Sequence, residues 1–247
     1  MQRNKIGMVM AEFVGTLMLA SLVLAQANAV GAILTSTWFV AATAGLTLAV
    51  LVLALGRVSG GHFNPAVTLG AWSVRKVETT TALVYIAAQM FGGLLALVLF
   101  QYFSNSTVAN VGGGFDSRVF FAEMGGAFVF THGIAAAVMQ KLSGYKQAFL
   151  IGTSLMLGAI VASTASSGIL NPAVALGLNS WSWTYALAPV VGSLLGFNVY
   201  ALFFAPMEEM KLAESRKVAS VVSGDAPKVT VTTKKVTTKK AKTKKRR

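Results

Sequence analysis

Six long stretches of the chain, residues 6–26, 37–56, 80–103, 119–140, 148–166 and 183–205, carry almost no charge and are joined by short polar connections. Each is close to the roughly 20 residues a helix needs to cross about 30 Å of hydrocarbon, which predicts six transmembrane helices. Two more apolar stretches, 64–74 and 171–181, reach only about half that length and are expected to enter the bilayer and turn back. Both begin with the same tetrapeptide, Asn-Pro-Ala-Val. Asn is a favoured N-cap and Pro a favoured first helical residue. The triplets Asn64, Pro65, Ala66 and Asn171, Pro172, Ala173 therefore predict two helix starts.

The tetrapeptide belongs to a longer echo. "AEFVGTLML" at 11–19 returns as "AEMGGAFVF" at 122–130, and Asn64 as Asn171. The shared plan is an Ala-Glu helix, a second helix, a Gly-containing approach, Asn-Pro-Ala-Val with a short helix, and a third helix. It divides the chain into a first repeat at 1–103, an extracytoplasmic connecting loop at 104–117, a second repeat at 118–205 and a basic tail at 206–247. Three spans per repeat is an odd number, so the second repeat must lie upside down relative to the first, with the working site near the midplane. The fold class is thus an all-α membrane protein, six transmembrane helices plus two re-entrant half-helices in an inverted repeat. The repeat needs residues 6–26 as a span, so they read as a retained helix and not as a cleaved signal peptide.

Composition supports the membrane class, since only 12% of the residues are charged against roughly a quarter in soluble domains. Of the 21 Lys and Arg residues, all except Arg118 fall on the side that holds both termini and the 57–79 and 141–147 connections. Cations accumulate on the cytoplasmic side of short loops, so both termini are expected in the cytoplasm and the protein in the plasma membrane. The net charge of +13 is concentrated in the tail "KVTVTTKKVTTKKAKTKKRR". Such a run can contact anionic lipid. Its low complexity makes a solvated, disordered tail the simpler expectation, with no nucleic acid expected as partner. With no cysteine there is no disulfide framework and no thiolate metal site, and no cofactor or metal is expected.

Two half-helices of about ten residues would each rise about 15 Å and meet N-terminus to N-terminus at the bilayer centre. Their approaches, "SGGHF" and "SSGIL", are non-helical backbone at membrane depth, tolerable only where they line a water-filled cavity. The arrangement implies a pore. Glu12 and Glu123 are carboxylates at equivalent repeat positions inside apolar runs, where charge is costly and usually functional. His132 has no counterpart in the repeat and reads as a packed histidine. Gly192 and Gly196 form a GxxxG packing pattern. Asn105-Ser106-Thr107 fits a glycosylation acceptor on the outer side, a weak motif.

At "SGGHFNPAVT" and the second Asn-Pro-Ala, over about residues 6–205, the sequence resembles the aquaporin family, also called the major intrinsic proteins. The resemblance implies a right-handed bundle of six tilted helices and two half-helices, a homotetramer, and one pore per protomer for water or small neutral solutes such as glycerol, urea or ammonia. It implies a ladder of pore-facing backbone carbonyls, here Gly60, Gly61 and His62 with Ser167, Gly168 and Ile169, and it makes Glu12 and Glu123 acceptors that brace the re-entrant loops. The ring of His62 is read as bracing its loop. If each Asn oxygen caps its own helix, the amides of Asn64 and Asn171 are left to donate into the lumen. The two helix ends add about half a positive charge each, disfavouring cations.

The sequence departs from the family at the outer constriction. Most members follow the second motif with Arg, where this chain has Val174. A gap-free count places the other filter positions at Ala44, Ala159 and Gly168, giving a constriction of small apolar groups. Ala175 also stands where glycerol facilitators carry Asp. A wider mouth admits larger solutes, yet one with fewer donors repays less of their desolvation. Three rival readings remain at this level. A coupled transporter would need Glu12, Glu123 or His132 to face the cavity, an intramembrane serine protease would need His132 beside Ser166 or Ser167, and a membrane junction protein would have a closed pore.

Overall fold

A computed structural model describes residues 2–29, 36–110 and 112–206. Their eight helices belong to one compact unit, Met1–Lys211. The basic tail and its lipid contact lie outside the described residues. Six helices are long and apolar enough to cross a membrane: α1 (Gln2–Ala27), α2 (Thr37–Ser59), α4 (Thr79–Ser104), α5 (Ser117–Met139), α6 (Tyr145–Ala162) and α8 (Trp183–Phe203). Between them sit α3 (Pro65–Ser73) and α7 (Pro172–Gly177). All six expected spans are present, with boundaries set by local chemistry. Asp116 caps α5 by accepting from the backbone N–H of Arg118 at 2.8 Å and of Val119 at 3.4 Å, and those backbone bonds hold its carboxyl below the usual carboxylate range. Gly60, at φ 101, ends α2 in a left-handed turn that a side chain would disfavour.

The half-helices are shorter than their sequence suggests. α3 has 9 residues and α7 only 6, where stretches 64–74 and 171–181 were expected to continue. Asn179, at φ 51, stops α7, and the Ser180 N–H then folds back onto the Ala175 carbonyl at 2.8 Å. Six residues rise about 9 Å, so the irregular approach and exit cover the rest of the depth.

The packing obeys the repeat. α1 packs on α4 and α2 as α5 packs on α8 and α6, while α2 and α6 pack on each other across the pseudo-symmetry axis. α3 reaches across to α8 and α7 to α4, so the half-helices fill the space between the third helices of the two repeats. Close approach depends on glycine. A Cβ on Gly45 would sit 2.6 Å from the Gly152 carbonyl oxygen, and one on Gly152 would run into the Gly45 carbonyl. Gly192 and Gly196 bring α8 onto the α5 backbone in the same way.

Candidate functional site

The two Asn-Pro-Ala motifs meet at the junction of α3 and α7. Asn64 Oδ1 accepts from the Ala66 N–H at 2.8 Å, and Asn171 Oδ1 from the Ala173 N–H at 3.0 Å, so each caps its own helix. The amide nitrogens do more than face the lumen. Asn64 Nδ2 donates to the Leu170 carbonyl at 2.9 Å and Asn171 Nδ2 to the Phe63 carbonyl at 2.9 Å. Each repeat thereby holds the last loop residue of the other. A primary amide has two N–H groups, so each Asn keeps one beyond this exchange, and both side chains border the cavity described below. Pro65, Ala66, Pro172 and Ala173 are buried in packing and do not line it.

Both loops hang from a buried carboxylate. Glu12 accepts from Ser59 Oγ at 2.6 Å and from the backbone N–H of His62 at 3.0 Å and Phe63 at 2.6 Å. Glu123 repeats this with Ser166 Oγ at 2.7 Å, Ile169 N–H at 2.9 Å and Leu170 N–H at 2.7 Å. Spending the loop N–H groups on carboxylates leaves the carbonyls turned elsewhere. Among the described residues no protein donor reaches the carbonyl oxygens of Gly60, Gly61, His62, Ser167, Gly168 or Ile169. The halves differ at one partner: Gln89 Nε2 donates to Glu12 Oε2 at 2.7 Å and to Thr68 Oγ1 at 3.0 Å, and Thr68 in turn bonds His62 Nδ1 at 3.1 Å. Pro189 occupies the matching turn of α8, counted from Tyr85 and Tyr185, and has no such donor. The His62 ring stands edge-on to Tyr85 and also borders the cavity.

A cavity of about 410 Å³ runs from residues at the α1–α2 and α4–α5 connections to the two asparagines. Ala44, Ala159, Gly168 and Val174 all line it, together with His62, Ser167 and Ile169; Gly60 and Gly61 do not. Much of its wall is apolar and was not singled out from the sequence: Leu19, Val23, Leu48, Phe130 and Leu155. Nothing in their local pattern marks them, since they sit in uniformly apolar helices. Ser59 and Ser166 were legible, each standing five residues before the motif Asn. Gln89 was also legible, as an amide inside an apolar span.

The cavity bears on two rival readings. Neither Glu12, Glu123 nor His132 lines it, so it offers no ionisable carrier of the coupled-transporter kind from that set. Ser166 Oγ bonds Glu123, while the His132 ring packs on Phe128, Tyr200 and Phe204, so no serine–histidine pair forms.

The family model described as major intrinsic protein matches residues 2–201. Nodulin-26 of Glycine max is 33% identical over 193 residues, covering 74% of this chain and 70% of that protein. Aquaporin Z of Photorhabdus laumondii is 28% identical over 186 residues, covering 65% of this chain and 80% of that protein. The X-ray structure of the aquaglyceroporin from Plasmodium falciparum superposes with a TM-score of 0.68 at 20% identity, over 83% of this chain and 99% of that one, a likeness of fold.

Proposed function

Since this chain belongs to the major intrinsic protein family, whose members are passive channels for water or small solutes and not enzymes, we propose that it conducts water and small uncharged solutes of the glycerol, urea and ammonia class. The carrying observation is the make-up of the cavity wall at the four expected filter positions. Ala44, Ala159, Gly168 and Val174 border one cavity and supply neither a cation nor an aromatic ring. Pore width and lining donors set channel selectivity, so a short apolar collar selects by size more than by hydrogen bonding. Its cost to the solute is desolvation, offset by loop carbonyls that no protein donor occupies, at His62, Ser167, Gly168 and Ile169, all residues that border the cavity.

At the midplane the remaining N–H of Asn64 and of Asn171 converge on the permeating oxygen. A water held by two donors points its own hydrogens outward, which breaks a proton wire. The ends of α3 and α7 carry partial positive charge that disfavours cations. With Val174 in place of a fixed cation, proton and cation exclusion rests on this midplane device. The protein is an integral membrane protein; a plasma-membrane location, cytoplasmic termini and a homotetramer with one pore per protomer complete the proposal.

Reconstitution into liposomes tests it, with stopped-flow light scattering under sucrose, glycerol and urea gradients. The expected result is rapid shrinkage in sucrose and rapid re-swelling in glycerol or urea. Fast water flux with re-swelling no faster than in protein-free vesicles would make it a water channel and sink the wide-filter reading. Rates like those of protein-free vesicles for every solute would favour the junction-protein reading.

A further inference from the structure

The segment joining α4 to α5 reads in the sequence as a plain connection between repeats. In the structure two of its residues, Val108 and Ala109, form part of the same cavity wall as Ala44, Ala159 and Val174. Two contacts hold it there. Asn179 Nδ2 donates to the Val108 carbonyl at 2.8 Å, and Gly112 lies so close to the Trp181 backbone that a Cβ would run into its carbonyl oxygen. Asn179 and Trp181 both belong to the exit from α7, the half-helix that carries Val174. The collar and the segment above it therefore share one support. Asn179 thus fixes the Val108 backbone at the point where that residue borders the cavity.

We propose that Val108 and Ala109 are specificity-determining residues of the solute path, positioned by Asn179, and that they narrow the outer vestibule in favour of small neutral solutes with an apolar face. The inference rests on the channel reading. Its physical basis is that a collar of alanines, one glycine and one valine discriminates weakly, so the apolar rim above it becomes a second point at which a hydrated solute must shed water.

The chain contains no cysteine, so Val108→Cys provides a single thiol in the full-length protein. Reaction of the reconstituted variant with an aromatic maleimide is expected to slow glycerol re-swelling by roughly fivefold or more, because the adduct fills the vestibule. Complete labelling by mass spectrometry with unchanged glycerol and water rates overturns the proposal, as does a thiol that the reagent never reaches. Asn179→Gly tests the positioning role, since glycine suits the left-handed position after a helix and only the tether is lost. Entry of erythritol relative to glycerol is expected to rise about twofold or more; an unchanged ratio in a variant that melts like the parent overturns that role. Parent vesicles no faster than protein-free ones would instead defeat the channel reading, and this proposal with it.

Discussion

At the scale of single residues, the site is a set of exchanges in which one side chain serves two structures. Asn64 caps α3 and holds Leu170; Asn171 caps α7 and holds Phe63. Glu12 and Glu123 use equivalent bonds, but only Glu12 has a glutamine as an additional partner. That difference gives an ordered pair of variants. In Glu123→Gln the new amide faces the Leu170 N–H and leaves it unsatisfied, a cost of about 1–3 kcal/mol for a buried donor. In Glu12→Gln the Gln89 amide can turn and accept, recovering part of the loss. Thermal melts in detergent should place Glu123→Gln below Glu12→Gln, and the reverse order would remove Gln89 from this role. Val174→Arg is the matching test of the collar. It should lower glycerol and urea entry by roughly tenfold while water flux changes less, because a long donor-bearing side chain narrows the mouth. Unchanged entry in a well-folded variant would displace Val174 from the constriction.

At the scale of elements, glycine decides how closely the helices that carry Ala44 and Ala159 approach. Ala44 and Ala159 stand next to or near the Gly45–Gly152 crossing of α2 and α6, where either Cβ would press on a carbonyl. Gly152→Val should force the pair apart, costing about 1–3 kcal/mol as overpacking does. Circular dichroism melts and solute rates measured on one preparation check this: a lower melting point with altered glycerol-to-water selectivity is expected. The half-helices show where element reading ran short. Asn-Pro fixed both starts, through the cap and the missing N–H of proline. The ends were overestimated, because an apolar run has no marker for the residue at which α7 turns left-handed at Asn179.

At the scale of the whole molecule, every helix contact of the first repeat has its counterpart in the second, the half-helices crossing over to the other half. A site on that axis can be completed only by both repeats together. The proposed tetramer is tested by light scattering on the detergent-solubilised protein, with a mass of four chains expected and a monomer mass overturning it. Removing residues 206–247 should leave water flux unchanged, since the helices belong to the unit Met1–Lys211, and should abolish binding to anionic vesicles if the tail makes that contact.

What the sequence determined alone was the set of spans, their inversion, the motif helices and the two carboxylates that stand inside apolar spans. The reason is that a bilayer requires backbone polar groups to be satisfied internally, so length and apolarity define a span. A polar residue inside one stands out against that background. What only the tertiary structure decided was which apolar residues line the cavity. In a helix of a soluble protein a polar face reveals the buried one, but here lipid and cavity wall are both apolar, so Leu48, Phe130 and Leu155 carry no mark. The crossing of each asparagine onto the other loop, and the placement of Val108 on the cavity wall, also depend on contacts between segments about 70 or more residues apart, 71 for Asn179 and Val108. No local pattern encodes a contact of that range.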